Sequence, residues 1–270
     1  MTIGMIGCGN MGGALARGYQ GSARADSGAG PLVLVYDRNA DKAGALAALP
    51  GIEAAESIED LAGRSSMVIL AVKPKDFDAL VPEIARSEGI GRKTVISIAA
   101  GVSISWLASM LGKGAKVIRA MPNTPALVGE GATALARSEG VTDGEFADAL
   151  RIFEAVGTAV ETEEGLLDAV IGVSGSSPAF AYMYIEALIE KGISCGLRPE
   201  DAKRLAARAT LGAAKMVLET GTPPDILRKN VCSPGGTTIE GVAVLEDRGF
   251  METIEAAMDA AIEKSRKMTK

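Results

Sequence analysis

The chain has 270 residues, 47% hydrophobic and 23% charged, with a net charge of −6 and no histidine. That composition is globular, large enough for one or two cores, and lacks the basic surface that a nucleic-acid binder needs. Without an imidazole there is no histidine general base, Ser–His pair or His-based metal site, so catalysis must use amides, hydroxyls, carboxylates, lysine or a cofactor.

The first predicted element is a buried strand, Ile3-Gly4-Met5-Ile6, followed by Gly7-Cys8-Gly9-Asn10-Met11-Gly12 and a helix through Ala14-Leu15-Ala16-Arg17. Strand, G-x-G-x-x-G turn and helix form a dinucleotide-binding fingerprint. Gly7 permits the tight turn, Gly9 lets the backbone approach a pyrophosphate, and Gly12 lets helix and strand pack closely. The helix N-terminus offers amides and a positive dipole end to the phosphates. Residues 21–30, rich in Gly, Ala and Ser, read as a surface loop.

Leu32-Val33-Leu34-Val35-Tyr36 is then a continuous apolar strand that ends on Asp37-Arg38-Asn39. An acidic residue there accepts the ribose hydroxyls of NAD(H), whereas Arg38 suits a 2′-phosphate. The two signals conflict, and the choice between NADH and NADPH stays open. Further strands are expected at 67–72, 94–98 and 116–121, separated by helices near 42–49, 76–85 and 103–111. Lys73-Pro74, Ala99-Ala100-Gly101 and Pro122-Asn123-Thr124-Pro125 follow strand ends, where open α/β sheets bind ligands. A strand at 131–136, a helix at 143–155 and a strand at 158–161 complete a doubly wound, mostly parallel sheet over residues 1–162.

From residue 163 to 270 strand signals vanish and alanine-rich helices take over, at 166–172, 178–195, 199–219, 238–247 and 250–267. Ala206, Ala209, Ala213 and Val217 line one face of the third. The segment with Phe180, Met183, Ile185, Leu188 and Ile189 is apolar nearly all round, so burial against a second copy is expected. Val173-Ser174-Gly175-Ser176-Ser177-Pro178 reads as a loop introducing that helix. Cys232-Ser233-Pro234-Gly235-Gly236-Thr237-Thr238 makes a tight turn before another helix, a second anion cradle sized for a carboxylate. A threonine that merely caps the helix is the simpler alternative. The three cysteines, Cys8, Cys195 and Cys232, suggest neither disulfides nor a metal site, and a reducing cytoplasm is the expected compartment. No apolar run of about 18 residues marks a membrane span, and a strand starting near Thr2 leaves no room for a signal peptide.

These motifs, with Ala71-Val72-Lys73-Pro74, Arg119-Ala120-Met121-Pro122-Asn123-Thr124-Pro125 and Ser174-Gly175-Ser176-Ser177-Pro178-Ala179, occur in an order that resembles the pyrroline-5-carboxylate reductases. The resemblance spans the chain and implies reduction of the cyclic imine L-1-pyrroline-5-carboxylate to L-proline with NADPH or NADH. It implies a Rossmann-like domain followed by an all-helical dimerisation and substrate domain, assembled as a homodimer or homodecamer. It places the cofactor along Ile6, Gly7, Gly9, Asn10, Met11, Gly12, Asp37, Arg38, Ser57, Ala71, Val72, Lys73, Pro74, Ala99, Ala100 and Asn123. Substrate falls to Ser176, Ser233, Gly235, Gly236, Thr237 and Thr238, with Thr238 as the catalytic hydroxyl. A β-hydroxyacid dehydrogenase would need a lysine on the helix after its glycine-serine loop, and 179–190 has none. A non-catalytic dinucleotide-sensing regulator would need a partner-binding segment, and none is evident.

Overall fold

The structure, a computed structural model, describes residues 1–27 and 32–270. Among them, strands β1 (Ile3–Ile6), β2 (Val33–Tyr36), β3 (Ile52–Ala54), β4 (Met67–Leu70), β5 (Thr94–Ser97), β6 (Lys116–Met121), β7 (Gly131–Arg137) and β8 (Gly157–Glu161) form one sheet. Its order is β3-β2-β1-β4-β5-β6-β7-β8. All neighbours are parallel except β6 and β7, whose register pairs Arg119 with Ala136. The sheet is thus mostly parallel, with the order reversing between β1 and β4, the place where such sheets open a crevice.

β4 shows why these runs are strands. Met67 and Ile69 join one apolar cluster and Val68 and Leu70 the other, so alternate side chains feed cores on both faces. On one face α1 (Asn10–Ser27), α2 (Ala40–Ala47) and α6 (Asp143–Glu154) pack through Leu15, Leu46 and Phe153. On the other, α3 (Ile58–Arg64), α4 (Phe77–Ala85) and α5 (Ile104–Leu111) pack through Leu61, Phe77 and Leu107, none of them measurably exposed. Each such side chain contributes about 1.5–3 kcal/mol by leaving water.

Several expectations are corrected. The loop expected at 21–30 is helical through Ser27, because α1 runs on past Gly21; residues 28–30 lie outside the described residues. The short strand β3 and helix α3 were not foreseen, since three residues of strand carry no periodic signal. By packing, the described residues form two compact units, Met1–Ser176 with Ala261–Lys270 and Ser177–Ala260. Leu167, on the one-turn helix α7 (Leu167–Val170), is fully buried with Met121 and Ala134, which keeps this stretch on the sheet.

The second unit holds α8 (Ser177–Ser194), α9 (Pro199–Thr220), α10 (Pro224–Val231), α11 (Thr237–Asp247) and the first part of α12 (Phe250–Met268). α8 and α9 pack closely: a Cβ on Gly192 would lie 3.2 Å from Leu197 and 3.4 Å from Ala202. The apolar α8 is not buried within this chain, however. Tyr182, Met183, Tyr184, Leu188 and Ile193 stay exposed.

Candidate dinucleotide site and anion cradle

Gly7 donates its amide to Tyr36 O at 2.8 Å, and Ala71 N donates to Ile6 O at 2.8 Å, so the turn sits between the ends of β2 and β4. Gly7 has φ of +103°, and a Cβ there would lie 2.6 Å from Ala71 O. Gly12 is pressed against the same turn, its hypothetical Cβ 2.0 Å from Gly7 O. Gly9 differs: a Cβ there meets nothing within 4 Å. The space above Gly9 is open, at the N-terminus of α1, where unpaired helix amides attract an anion. Open backbone at a helix N-terminus is what a pyrophosphate-binding turn requires.

A cleft of about 400 Å³ begins there. It is lined by Ile6, Gly7, Gly9, Asp37, Arg38, Ala71, Val72 and Lys73, all expected from the sequence. Tyr36, Lys42, Ile58, Asp76, Ala79, Leu80 and Glu83 also line it and were missed. Ile58, Ala79 and Leu80 reach the cleft from α3 and α4, which only the packing of those helices reveals. Asp37 binds the turn directly: Oδ2 accepts Cys8 N at 2.7 Å and Oδ1 accepts Asn39 N at 2.9 Å. Arg38 Nη2 lies 2.8 Å from Asp76 Oδ1, the arginine side chain 79% exposed. Asn39, not Asp37, caps α2, accepting Asp41 N. Burial, and then the Asp37 charge, push the Cys8 thiol up to about 12, so it stays protonated near neutral pH.

The remaining expected cofactor residues are not all at this cleft. Asn10, Met11 and Gly12 form the first turn of α1. Ser57 caps α3, accepting Asp60 N at 3.0 Å, and its neighbour Ile58 is the residue that lines the cleft. Pro74 opens a 3₁₀ turn (Pro74–Asp76). Ala99 is buried and Ala100 half-buried in the turn after β5. Asn123 is buried and its side chain is committed, accepting Ala132 N at 2.9 Å and donating to Ser174 O at 3.0 Å.

Ser174 and Ser176 do not sit in a loop. Ile171–Gly175 is a π-helical turn, closed by Ser176 N donating to Ile171 O at 2.7 Å, which runs into α8 with Pro178 in the first helical turn. Such one-turn insertions redirect a helix where a site needs it.

In the helical unit, Cys232 ends α10 and Gly235 takes φ of +70°. Gly236 N donates to Ser233 O at 3.0 Å. Gly236 is the N-cap of α11 and no side chain caps it. Thr237 and Thr238 are therefore not capping residues. Thr237, Thr238, Ser233 and Gly235 are all exposed residues at the N-terminus of α11, where free helix amides favour an anion such as a carboxylate. Among the described residues no cluster of three or more Cys, Asp or Glu could hold a metal ion, and no helix is long and apolar enough to cross a membrane.

Residues 164–268 match the family model for pyrroline-5-carboxylate reductase dimerisation, and residues 2–101 that for NADP oxidoreductase, coenzyme F420-dependent. The pyrroline-5-carboxylate reductase of Escherichia coli K12 is 45% identical over 268 residues, which cover 99% of this chain and 98% of that one. The structure of a pyrroline-5-carboxylate reductase from Coxiella burnetii superposes with a TM-score of 0.91 at 33% identity, covering 99% of this chain and 98% of that one. A Plasmodium falciparum pyrroline carboxylate reductase with NADP bound gives 0.85 at 31% identity, covering 100% and 98%.

Proposed function

The chain belongs to the pyrroline-5-carboxylate reductase family, and we propose that it reduces L-1-pyrroline-5-carboxylate to L-proline with NADPH or NADH, the last step of proline synthesis. One observation carries the reading: the kinship runs through both the glycine turn and the Ser233–Thr238 turn, the two anion sites that this reaction needs. Residues 1–162 serve the cofactor; residues 163–270 serve substrate and self-association.

Bound NAD(P)H supplies the hydride that reduces the imine carbon. The chain's own task is position. The α1 amides and the open face of Gly9 hold the pyrophosphate, and Asp37 and Arg38, which line the cleft, meet the adenosine ribose. Ala99 and Ala100, just past the carboxyl end of β5, serve the nicotinamide end. Ser233, Gly235, Gly236 and Thr237 dock the substrate carboxylate, Ser176 contributes a hydroxyl, and Thr238 donates near the ring nitrogen or carboxylate. A protonated imine is already electrophilic, so orientation accounts for most of what a histidine-free site must provide. The apolar exposed face of α8 supports pairing with a second copy, with the matched dimerisation family pointing the same way. A cytoplasmic location accords with this chemistry.

The test is to incubate the protein with pyrroline-5-carboxylate and either cofactor and to follow loss of reduced-nicotinamide absorbance. Stoichiometric proline formation is expected; no turnover with either cofactor would reject the reading.

A further inference from the structure

The turn that follows β5 is held by a segment remote in sequence. Lys270 N donates to Gly101 O at 2.9 Å, and Lys270 O accepts the Ser103 amide at 3.1 Å and the Ser103 hydroxyl at 2.7 Å. The Lys270 side chain extends the contact, with Nζ 2.6 Å from Asp78 Oδ1 and 4.3 Å from the centre of the Trp106 ring. Upstream, Ser265 is 5% exposed and donates to Asp168 at 2.5 Å. The fit is tight: Gly101 has φ of +77°, and a Cβ there would lie 2.7 Å from Met268 O.

A second clamp acts at the start of α5. Glu164 Oε1 accepts Ile104 N at 2.7 Å and lies 3.3 Å from Nη1 of Arg119, a β6 residue only 3% exposed. A buried cation keeps its carboxylate partner in place, so Glu164 cannot leave Ile104 cheaply. The stretch just after Ala99-Ala100 is therefore held at three points, by Lys270 at Gly101 and Ser103 and by the Arg119–Glu164 pair at Ile104.

We propose that Lys270 and Ser103 are positioning residues for the Ala99-Ala100-Gly101 turn, setting where the nicotinamide end of the cofactor rests. The inference depends on the reading above, that NAD(P)H lies along the carboxyl edge of the sheet with its nicotinamide toward β5. A turn already held costs nothing further to order when cofactor binds; a released turn must be ordered at that moment, and it places the ring less accurately.

Trp106 is the sole tryptophan, so its fluorescence reports whether Lys270 is seated. The test compares the full chain with a variant truncated after Met268 and with Lys270→Arg. Truncation is expected to expose Trp106 to acrylamide quenching and to raise the Kd for NADPH about tenfold, the effect of one or two lost hydrogen bonds. It also lowers kcat, yet leaves the affinity for 2′-phospho-ADP-ribose, which lacks the nicotinamide, unchanged. Lys270→Arg keeps every property. Should the truncated chain fail to fold, Lys270→Ala removes the ammonium from Asp78 and Trp106 and carries the same expectations at smaller size. Exposure of Trp106 with unaltered NADPH affinity and kcat overturns the inference, as does an equal loss for NADPH and the fragment. If the full chain turns over no pyrroline-5-carboxylate, the functional reading fails and this inference falls with it; turnover that is indifferent to the variants sinks the inference alone.

Discussion

The Asp37 carboxylate at the end of β2 accepts the Cys8 amide of the glycine turn at 2.7 Å. The residue that sequence logic assigns to the ribose thus also ties the phosphate-binding turn to the neighbouring strand. Asp37→Ala leaves the Cys8 amide without an acceptor, a cost of about 1–3 kcal/mol for a buried donor. Both NADH and NADPH should bind about tenfold more weakly. Fluorescence titration with each cofactor checks this; weakening confined to NADH would mean that Asp37 only reads the ribose.

Arg38 and Asp76 lie 2.8 Å apart and both line the cleft, so the pair is expected to set cofactor choice. A 2′-phosphate placed at Arg38 would have to displace Asp76, whose charge would repel it. In Asp76→Asn the ratio of kcat/KM for NADPH over NADH should rise about two- to fivefold, the range of an exposed ion pair, and in Arg38→Ala it should fall. Steady-state kinetics with both cofactors decide the matter, and a ratio unmoved in both variants removes this pair from specificity.

Gly9 and Gly12 should separate binding from folding. Gly12→Ala drives a methyl into Gly7 O and is expected to lower the melting temperature by about 5 °C or more. Gly9→Ala meets nothing within 4 Å, so the melt should stay put while cofactor affinity falls, because the methyl stands where a phosphate belongs. Parallel melting curves and titrations test the contrast; a destabilised Gly9→Ala would contradict it.

Thr238 lies just past the Gly236 cap, its hydroxyl unused in capping. Thr238→Ala should reduce kcat/KM for the imine about tenfold, as loss of a transition-state hydrogen bond does, with cofactor Kd unaltered. Initial rates at varied imine concentration suffice, and an unaltered kcat/KM would refute the role.

Glu145 carries a pH signature. Burial alone raises its carboxyl, but the Lys116 ammonium at 2.8 Å and the amide and hydroxyl of Thr142 outweigh that and hold it down to about 2, from 4.5. A carboxylate whose folded pKa is depressed adds stability that is present above its unfolded pKa. That share is lost as pH falls from 4.5 toward 2. Melting temperature against pH should drop across this window in the native chain and less steeply in Glu145→Gln; identical slopes would reject the assignment.

The residue pattern by itself determined the N-terminal architecture and marked the two glycine turns as candidate anion sites. Buried parallel strands read as unbroken apolar runs, and a glycine turn between strand and helix has one economical use, so 3–6, 33–36 and 7–12 were legible without coordinates. The family resemblance likewise rested on short motifs whose order is visible in the chain. What the sequence could not supply was anything created by contact between remote segments. Ile58, Ala79 and Leu80 look like ordinary helix residues until α3 and α4 pack beside the glycine turn. Asp76 shows no link to Arg38 until β1, β2 and β4 become neighbours. The antiparallel pairing of β6 with β7, the π turn at 171–175 and the helical path through 21–27 also escaped, because local propensity does not fix direction or a one-residue change of helical period. Lys270 is the clearest case: nothing near it in sequence links it to the turn after β5, and only the fold brings its backbone to Gly101 and Ser103. Hydrogen bonds between such distant residues depend on where the intervening chain is packed, and packing is a property of the whole core.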